Sequence, residues 1–246
     1  MNAAAADWVY GIHAVGALLA RTPERIAELR VQEDRIDQRM QQLLTAAENA
    51  GVVVSRVTRA VLDELQGRHQ GVAARLAAGH EYRETDIDGL LERSAKPFIL
   101  VLDGVTDPHN LGACLRSADA AGVDMVIAPR DKAASLSPVV RKVASGAAET
   151  VPFIQVTNLA RTLRSLQERG VWIVGAAGEA DDTLYEQDLT GPVALVLGAE
   201  GSGMRQLTSR TCDELVRLPM KGAVESLNVS VASGVCLYEA LRQRGG

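Results

Sequence analysis

From Pro97 onward the chain alternates between near-continuous Val, Ile and Leu runs and segments of helical spacing, and that alternation admits few folds. The apolar runs are Phe98–Leu102, Met125–Ala128, Val151–Val156, Val171–Ala176, Val193–Leu197 and Glu214–Leu218. Helical patterns fall between most of them, at Leu111–Ala121, Val139–Ala148, Leu159–Arg169 and Met204–Cys212. A last helical pattern opens near Asn228 and runs to Gln243. Strands covered on both sides lose the polar–apolar alternation of a half-exposed strand. The pattern therefore predicts an α/β fold with a mostly parallel sheet and helices on both faces.

The N-terminal part carries a shorter α/β pattern of its own. Helices are expected at Gly11–Ala20, Asp34–Ala50 and Ala60–Leu65, and strands at Ile26–Val31, Val52–Val54 and Gly71–Leu76. Residues 77–96 are polar, with Gly79, Gly89 and Pro97 as breakers and a helical turn expected near Asp88–Arg93. The expected organisation is a small α/β domain over 1–76, a linker over 77–96 and a larger α/β domain over 97–246.

Composition narrows the function classes. The net charge is −5, and neither half is basic: residues 1–95 hold 11 basic and 14 acidic side chains, the remainder 15 and 17. A nucleic acid would have to meet local patches rather than a global field. Candidate patches are Arg130 with Lys132, Arg141 with Lys142, and Arg161 with Arg164; each pair reads equally well as a solvated face. No lysine precedes Lys96. The three cysteines are far apart and form no Cys-x-x-Cys, which excludes a disulfide framework and points to a reducing cytoplasm. Cys114 and Cys236 lie among apolar residues and read as small buried hydrophobes. The four histidines show no metal-ligand spacing, so no metal is expected. No run of about 18 apolar residues predicts a membrane span. The start, Met1–Asp7, lacks the basic region of a secretory signal.

Open parallel sheets bind ligands at the carboxyl ends of their strands. The loops after Leu102, Ala176, Leu197 and Leu218 are therefore the candidate site. Gly175-Ala176-Ala177-Gly178 and Gly198-Ala199-Glu200-Gly201-Ser202-Gly203 let backbone approach a ligand closely. These loops contain no G-x-x-x-x-G-K-[ST], and no G-x-G-x-x-G after an early strand, so neither a P-loop NTPase nor an NAD enzyme fits. The absence of G-x-S-x-G argues against a serine hydrolase. Four side chains stand out. Asn110 suits a helix N-cap or a substrate contact. Arg116 either pairs with Asp119 on a solvated face or leans over Gly112 and Ala113 toward Asn110. Glu200 is a carboxylate between glycines at a strand end. Asn228 could cap the last helix or contact substrate. His109 reads as a turn residue and is given no role.

Three segments carry a resemblance. They are Leu102-Asp103-Gly104-Val105-Thr106-Asp107-Pro108-His109-Asn110-Leu111-Gly112, continuing to Arg116; Leu197-Gly198-Ala199-Glu200-Gly201-Ser202-Gly203-Met204; and Leu218-Pro219-Met220 with Ser226-Leu227-Asn228-Val229-Ser230. In this order, with Tyr10-Gly11-Ile12-His13-Ala14-Val15 and His69-Gln70-Gly71 near the start, the chain resembles the SpoU family of the SPOUT class of RNA ribose methyltransferases. The resemblance implies 2′-O-methylation of a guanosine in 23S rRNA, in the P-loop of the peptidyl-transferase region, with S-adenosylmethionine as methyl donor. It also implies a C-terminal trefoil knot around the cofactor, a homodimer through the C-terminal domain, and an N-terminal module that binds the RNA. Cofactor contacts would fall at Gly198, Leu218 and Leu227, with Gly178 nearby. The catalytic residues implied are Arg116, Glu200, Asn110 and Asn228. The proton route stays open: Arg116 as base, or Arg116 steering phosphate or ribose while Glu200 or solvent takes the proton, since a neutral guanidine is costly. The alternatives are the same chemistry on another RNA such as tRNA, or a catalytically silent RNA-binding protein.

Overall fold

The computed structural model describes residues 8–35, 37–65, 69–76 and 82–245. The chain divides into two compact units, 1–80 and 81–246. Met1–Asp7, on which the reading of the chain start rests, and residues 77–81 of the expected linker lie outside the described residues.

The first unit runs β1 (Trp8–Tyr10), α1 (Ile12–Arg21), β2 (Ile26–Gln32), α2 (Gln38–Asn49), β3 (Val54–Val57), α3 (Arg59–Asp63) and β4 (Val72–Leu76). Its sheet has the order β1-β4-β2-β3, with β2 and β3 parallel and the other two pairings antiparallel. Side chains alternate between faces with a period of two. Val9, Leu29, Val31, Val72 and Ala74 therefore share one face and pack on Leu18, Met40 and Leu43 from α1 and α2. The opposite parity brings Trp8, Arg75 and Glu28 side by side across three strands. Helix α2 begins later than expected because Asp37 is its cap, its carboxylate accepting from the Met40 N–H at 3.0 Å. The strand expected at Val52–Val54 begins instead at Val54. Strand β1 was not expected, because three residues show no periodicity. In the His69-Gln70-Gly71 turn, the His69 Nδ1 accepts from the Gly71 N–H at 3.0 Å, which leaves Nε2 to donate to Asp63 at 2.8 Å.

The second unit runs α4 (Ile87–Leu91), β5 (Phe98–Asp103), α5 (Pro108–Ala121), β6 (Met125–Pro129), α6 (Pro138–Ala144), α7 (Ala147–Thr150), β7 (Phe153–Val156), α8 (Leu159–Glu168), β8 (Trp172–Ala176), β9 (Asp182–Thr183), β10 (Val193–Gly198), α9 (Gln206–Thr211), β11 (Glu214–Arg217) and α10 (Val229–Gln243). Seven strands pair in the order β7-β6-β5-β10-β8-β11-β9, every pairing parallel. All of β5 is buried. Its Phe98, Leu100 and Leu102 join a core with Leu111, Leu115 and Leu237 of α5 and α10. Ile99 and Val101 join a second core with Leu90, Leu159 and Leu163 of α4 and α8. This is the doubly covered parallel sheet that the apolar runs predict.

Three local expectations are corrected. The single helix expected over Val139–Ala148 is two, α6 and α7, because Ser145 and Gly146 both adopt positive φ, 52° and 96°. Residues 82–96 are not a free linker: Ile87, Leu90 and Leu91 on α4 are buried in the second unit's core. Strand β7 starts after Pro152, which has no N–H to give to a sheet ladder.

Candidate active site

The register of the parallel sheet brings four strand ends together. Gly198 lies opposite Asp103, and Leu197 and Val216 both lie opposite Ala176. From β5 the chain proceeds outward through β6 and β7, while β10 and β8 fill the other side. The crevice between β5 and β10 is therefore the place where strand order reverses, the usual ligand position in such sheets. A cleft of about 590 Å³ opens next to this crevice, on the β8 and β11 side of β10, walled by the loops after β8, β10 and β11 and by the first turn of α10. Gly178, Gly198, Leu218 and Leu227 all line it, as does Glu200.

Gly198 has a steric reason to be glycine. A Cβ there would fall 2.1 Å from the backbone of Gly203 and Met204. The chain doubles back at this point, and Ala199 and Gly203 close the loop with reciprocal backbone hydrogen bonds of 3.1 and 2.9 Å. The cleft wall includes the carboxylates of Glu179, Glu200 and Glu225 and, among the described residues, no lysine or arginine. Leu197, Leu218, Met220 and Leu227 supply apolar surface. Such a wall suits a ligand with an apolar ring and positive charge.

At the rim, Asn110, Glu200 and Asn228 form one hydrogen-bonded group. The Asn228 amide donates to Asn110 Oδ1 at 3.0 Å and to Glu200 Oε1. Its own oxygen accepts from the Ser230 N–H at 2.9 Å and the Ser230 hydroxyl at 2.5 Å, so Asn228 caps α10. All of its hydrogen-bonding capacity is used. The Val229 N–H adds a longer bond to Glu200 Oε1 at 3.4 Å. What the network leaves over is the second Glu200 oxygen and the Asn110 amide N–H groups, which have no hydrogen-bond partner among the described residues. Asn110 is not the N-cap expected of it. Asp107 holds that position, accepting from His109 N–H at 2.6 Å and Asn110 N–H at 3.3 Å, and Asn110 sits inside the first turn of α5.

Arg116 is exposed on α5, six residues beyond Asn110, about 9 Å along the axis at 1.5 Å per residue. Its side chain leans back toward the helix start. It makes no ion pair with Asp119 among the described residues; the Asp119 carboxylate accepts from the Thr150 hydroxyl at 2.7 Å. The candidate cation pairs separate in the structure. Arg141 is bound to Glu149, and Arg161 to Glu84 at 2.8 Å. Arg130, Lys132, Lys142 and Arg164 are exposed without an ion pair among the described residues. Burial pushes the Cys114 thiol up to about 11 and the Cys236 thiol up to about 12, which makes both inert at neutral pH. No group of His, Cys, Asp and Glu able to hold a metal occurs among the described residues. No helix there is long and apolar enough to cross a membrane.

Two residues beside the site escaped the sequence reading, Asp103 and Arg205. Asp103 is buried, and its carboxylate is bound by Arg205. The available signal was a carboxylate ending an otherwise apolar buried strand, which requires a partner.

Comparison with known proteins shows the family. Residues 97–238 match the SpoU rRNA Methylase family, and residues 8–82 match the RNA 2′-O ribose methyltransferase substrate binding family. A 23S rRNA (guanosine-2′-O-)-methyltransferase RlmB of Yersinia pestis is 61% identical over 239 residues, covering 96% of this chain and 97% of the relative. A crystal structure of an RNA 2′-O ribose methyltransferase superposes with a TM-score of 0.61 at 29% identity, covering 96% of this chain and 88% of that one. The methyltransferase AviRb of Streptomyces viridochromogenes, solved with AdoMet, shares the fold with a TM-score of 0.67 at 23% identity, over 96% and 90% of the two chains. With its family match spanning most of the second unit and its relatives aligned end to end, the chain belongs to the SpoU rRNA methylase family.

Proposed function

We propose that the chain methylates the ribose 2′-oxygen of a guanosine in 23S rRNA, with S-adenosylmethionine as methyl donor. The observation that carries the reading is the Asn110–Asn228–Glu200 group at the rim of a glycine-walled cleft that bears three carboxylates and, among the described residues, no cation. The cofactor fits that wall by charge and by shape. Its sulfonium and ammonium groups carry positive charge, and its adenine needs apolar cover of the kind Leu218 and Leu227 offer. When bound, it supplies an electrophilic methyl group to an oxygen nucleophile.

The chain's own residues do the positioning, which can contribute several powers of ten in rate. Gly178, Gly198, Leu218 and Leu227 hold the cofactor against backbone and apolar surface. Asn228 orients its neighbours rather than touching substrate, because its amide is saturated. The spare Glu200 oxygen accepts the hydrogen bond, and then the proton, of a ribose hydroxyl. The Asn110 amide donates to the same sugar. Arg116 steers the ribose or an adjacent phosphate with a planar, permanently charged fork. A base role for Arg116 would require a neutral guanidine, a form arginine side chains do not take up in proteins. The first unit recognises the rRNA, the second forms a homodimer with the knotted topology of its family, and the protein works in the cytoplasm.

Two measurements test this reading. Calorimetric titration with S-adenosylmethionine in chelator is expected to show binding; a folded protein that ignores it and binds NAD would end the proposal. Ribose-methylation mapping of 23S rRNA from cells with and without the gene is expected to lose one guanosine signal. An unchanged rRNA map with a lost tRNA signal would move the activity to tRNA.

A further inference from the structure

Beneath the rim lies an ion pair that no step of the mechanism uses. Asp103 ends β5 with its side chain fully buried. Both carboxylate oxygens are taken by one residue, Arg205: the backbone N–H reaches Oδ2 at 2.9 Å, and Nε and Nη2 reach Oδ1 at 2.6 and 2.5 Å. The Arg205 side chain is half exposed. Asp103 is also the register partner of Gly198. The loop that departs from β10 at Gly198 is thus fastened, seven residues later, to the strand end directly beside its departure point.

The segment enclosed, 199–204, is the one that walls the cofactor cleft and carries Glu200. A second contact supports the same junction. Gly104 follows Asp103 at φ 86°, and a Cβ there would stand 3.7 Å from the Ala199 Cβ. The strand end of β5 therefore turns away in a left-handed conformation just where the loop presses on it. Within the loop, the reciprocal Ala199–Gly203 bonds fix its neck. Glu200 ties the loop to the head of α10, and the bonds from Arg205 to Asp103 are what tie it to the sheet.

We infer that Asp103 and Arg205 are a positioning pair that sets the 199–204 loop at the angle needed to bind the cofactor and to present Glu200 to Asn228. The inference rests on the methyltransferase reading of the same site. The pair has the properties such a role needs. A buried carboxylate without its partner is strongly disfavoured, so the closed arrangement is enforced. Three donors on one residue fix direction as well as distance. A displacement of about 1 Å at a site of this kind can cost 10²-fold in rate without touching the reacting atoms.

The test uses the full chain and three variants, Arg205→Lys, Arg205→Gln and Asp103→Asn. Cofactor affinity is read by calorimetry and methyl transfer by single-turnover labelling of 23S rRNA at saturating cofactor. Both are measured well below each variant's melting temperature. Arg205→Gln is expected to weaken S-adenosylmethionine binding about 10-fold or more and to slow transfer by up to about 10²-fold. Arg205→Lys, which keeps charge and backbone N–H but loses the fork, is expected to recover part of both. Asp103→Asn is expected to match Arg205→Gln, and the double variant to be no worse than either alone. Should Asp103→Asn fail to fold, the half-exposed Arg205 still decides the matter. Normal cofactor affinity and normal turnover in folded Arg205→Gln, with only a lower melting temperature, would reduce the pair to a structural clamp and overturn the inference. Normal cofactor affinity with weakened rRNA binding would overturn it too, making Arg205 an RNA contact. Failure of the unmodified chain to bind S-adenosylmethionine would strike the methyltransferase reading instead, a separate result.

Discussion

The two units are both α/β, yet they keep their polar chemistry in different places. In the first, a face of the sheet carries it: Trp8, Glu28 and Arg75 are cross-strand neighbours, the Arg30 guanidinium lies 4.7 Å from the Trp8 ring, and Arg30 and Arg75 both bind Glu28. In the second, the sheet faces are buried on both sides, and the polar groups are confined to strand ends: Asp103, Glu200 and the loops leading to Asn110 and Asn228. The difference follows from strand pairing. A small mixed sheet backed by helices can leave one face for water or a ligand. A fully parallel sheet needs crossover connections, most of them here helices, and those helices cover its faces. Reactive groups in such a fold gather where the strands stop. Broad contact surface in one unit and a narrow constellation in the other match a division between holding an RNA and reacting with one sugar.

The comparison is most exposed at Arg116. If strand-end chemistry is carried by the constellation described, Arg116→Ala lowers single-turnover methylation by about 10²–10³-fold. Cofactor affinity and melting temperature stay near normal, because the side chain is exposed and has no ion pair among the described residues. Arg116→Lys should rescue little, since it loses the planar fork. Near-normal turnover in the alanine variant would return Arg116 to a solvated helix face.

A second experiment separates the units. A chain beginning at Tyr82 keeps α4 and its three core residues, and is expected to fold and bind S-adenosylmethionine. Its rRNA affinity should fall by at least about tenfold, since polar and charged contacts dominate nucleic-acid affinity. Beginning at Ser94 instead removes Ile87, Leu90 and Leu91 from the core and should lower the melting temperature sharply. Full rRNA affinity without the first unit would erase the distinction between them.

Asn228 sharpens the account of the constellation. Asn228→Ala removes the cap of α10 and the two bonds to Asn110 and Glu200. Loss of the cap costs about 1 kcal/mol. That corresponds to a fall of about 2–4 °C in melting temperature for a chain of this size. Transfer should slow by about 10-fold to 10²-fold as Glu200 loses its fixed position. Asn228→Asp keeps the capping oxygen but no donor, so melting is expected to recover while activity is not. Recovery of both would mean that Asn228 acts only as a cap.

The smallest effect lies far from the site. Hydrogen bonds from Arg242, then Gln243, hold the Glu239 carboxyl down to about 2, from an ordinary value of about 4.5. A carboxyl whose folded pKa is depressed adds stability above its unfolded pKa, and that stability is lost as pH falls toward the folded value. Glu239→Gln should therefore melt slightly below the unmodified chain at neutral pH, and the gap should close between pH 4.5 and pH 2. The difference is expected to be about 1 kcal/mol, because the Arg242 end of the pair is exposed and screened by solvent. A gap that persists at pH 2 would assign it to packing.

Much of the fold was legible because its signals are local. Buried β5 and β10 show as unbroken apolar runs, and α8 shows as Leu159, Leu163 and Leu166 at helical spacing. Short elements carried too few residues to show a period, so β1 and β9 went unseen. The break between α6 and α7 depends on Ser145, a residue with no strong preference for positive φ. Helix α4 overlaps the helical turn expected near Asp88–Arg93, but its place in the core was not legible, because its three apolar residues gain meaning only from the core they enter. At the site, residue types and loops were legible, but their partners were not. Asn110 reads as a cap by its spacing to the apolar residues that follow, but the helix starts earlier, with Pro108 at its first position and Asp107 as its cap.

Sequence alone determined the class of the fold, the family and three of the loops that wall the cleft. Each depends on periodicity or on short runs of residues that interact with their own neighbours. Only the tertiary structure decided which groups act together. Asn110 and Asn228 stand 118 positions apart, and Asp103 and Arg205 stand 102 apart. Their meeting depends on strand order and register, which place the ends of β5 and β10 side by side. Register is set by the summed packing of two buried faces, a property of the assembled sheet that no short segment contains.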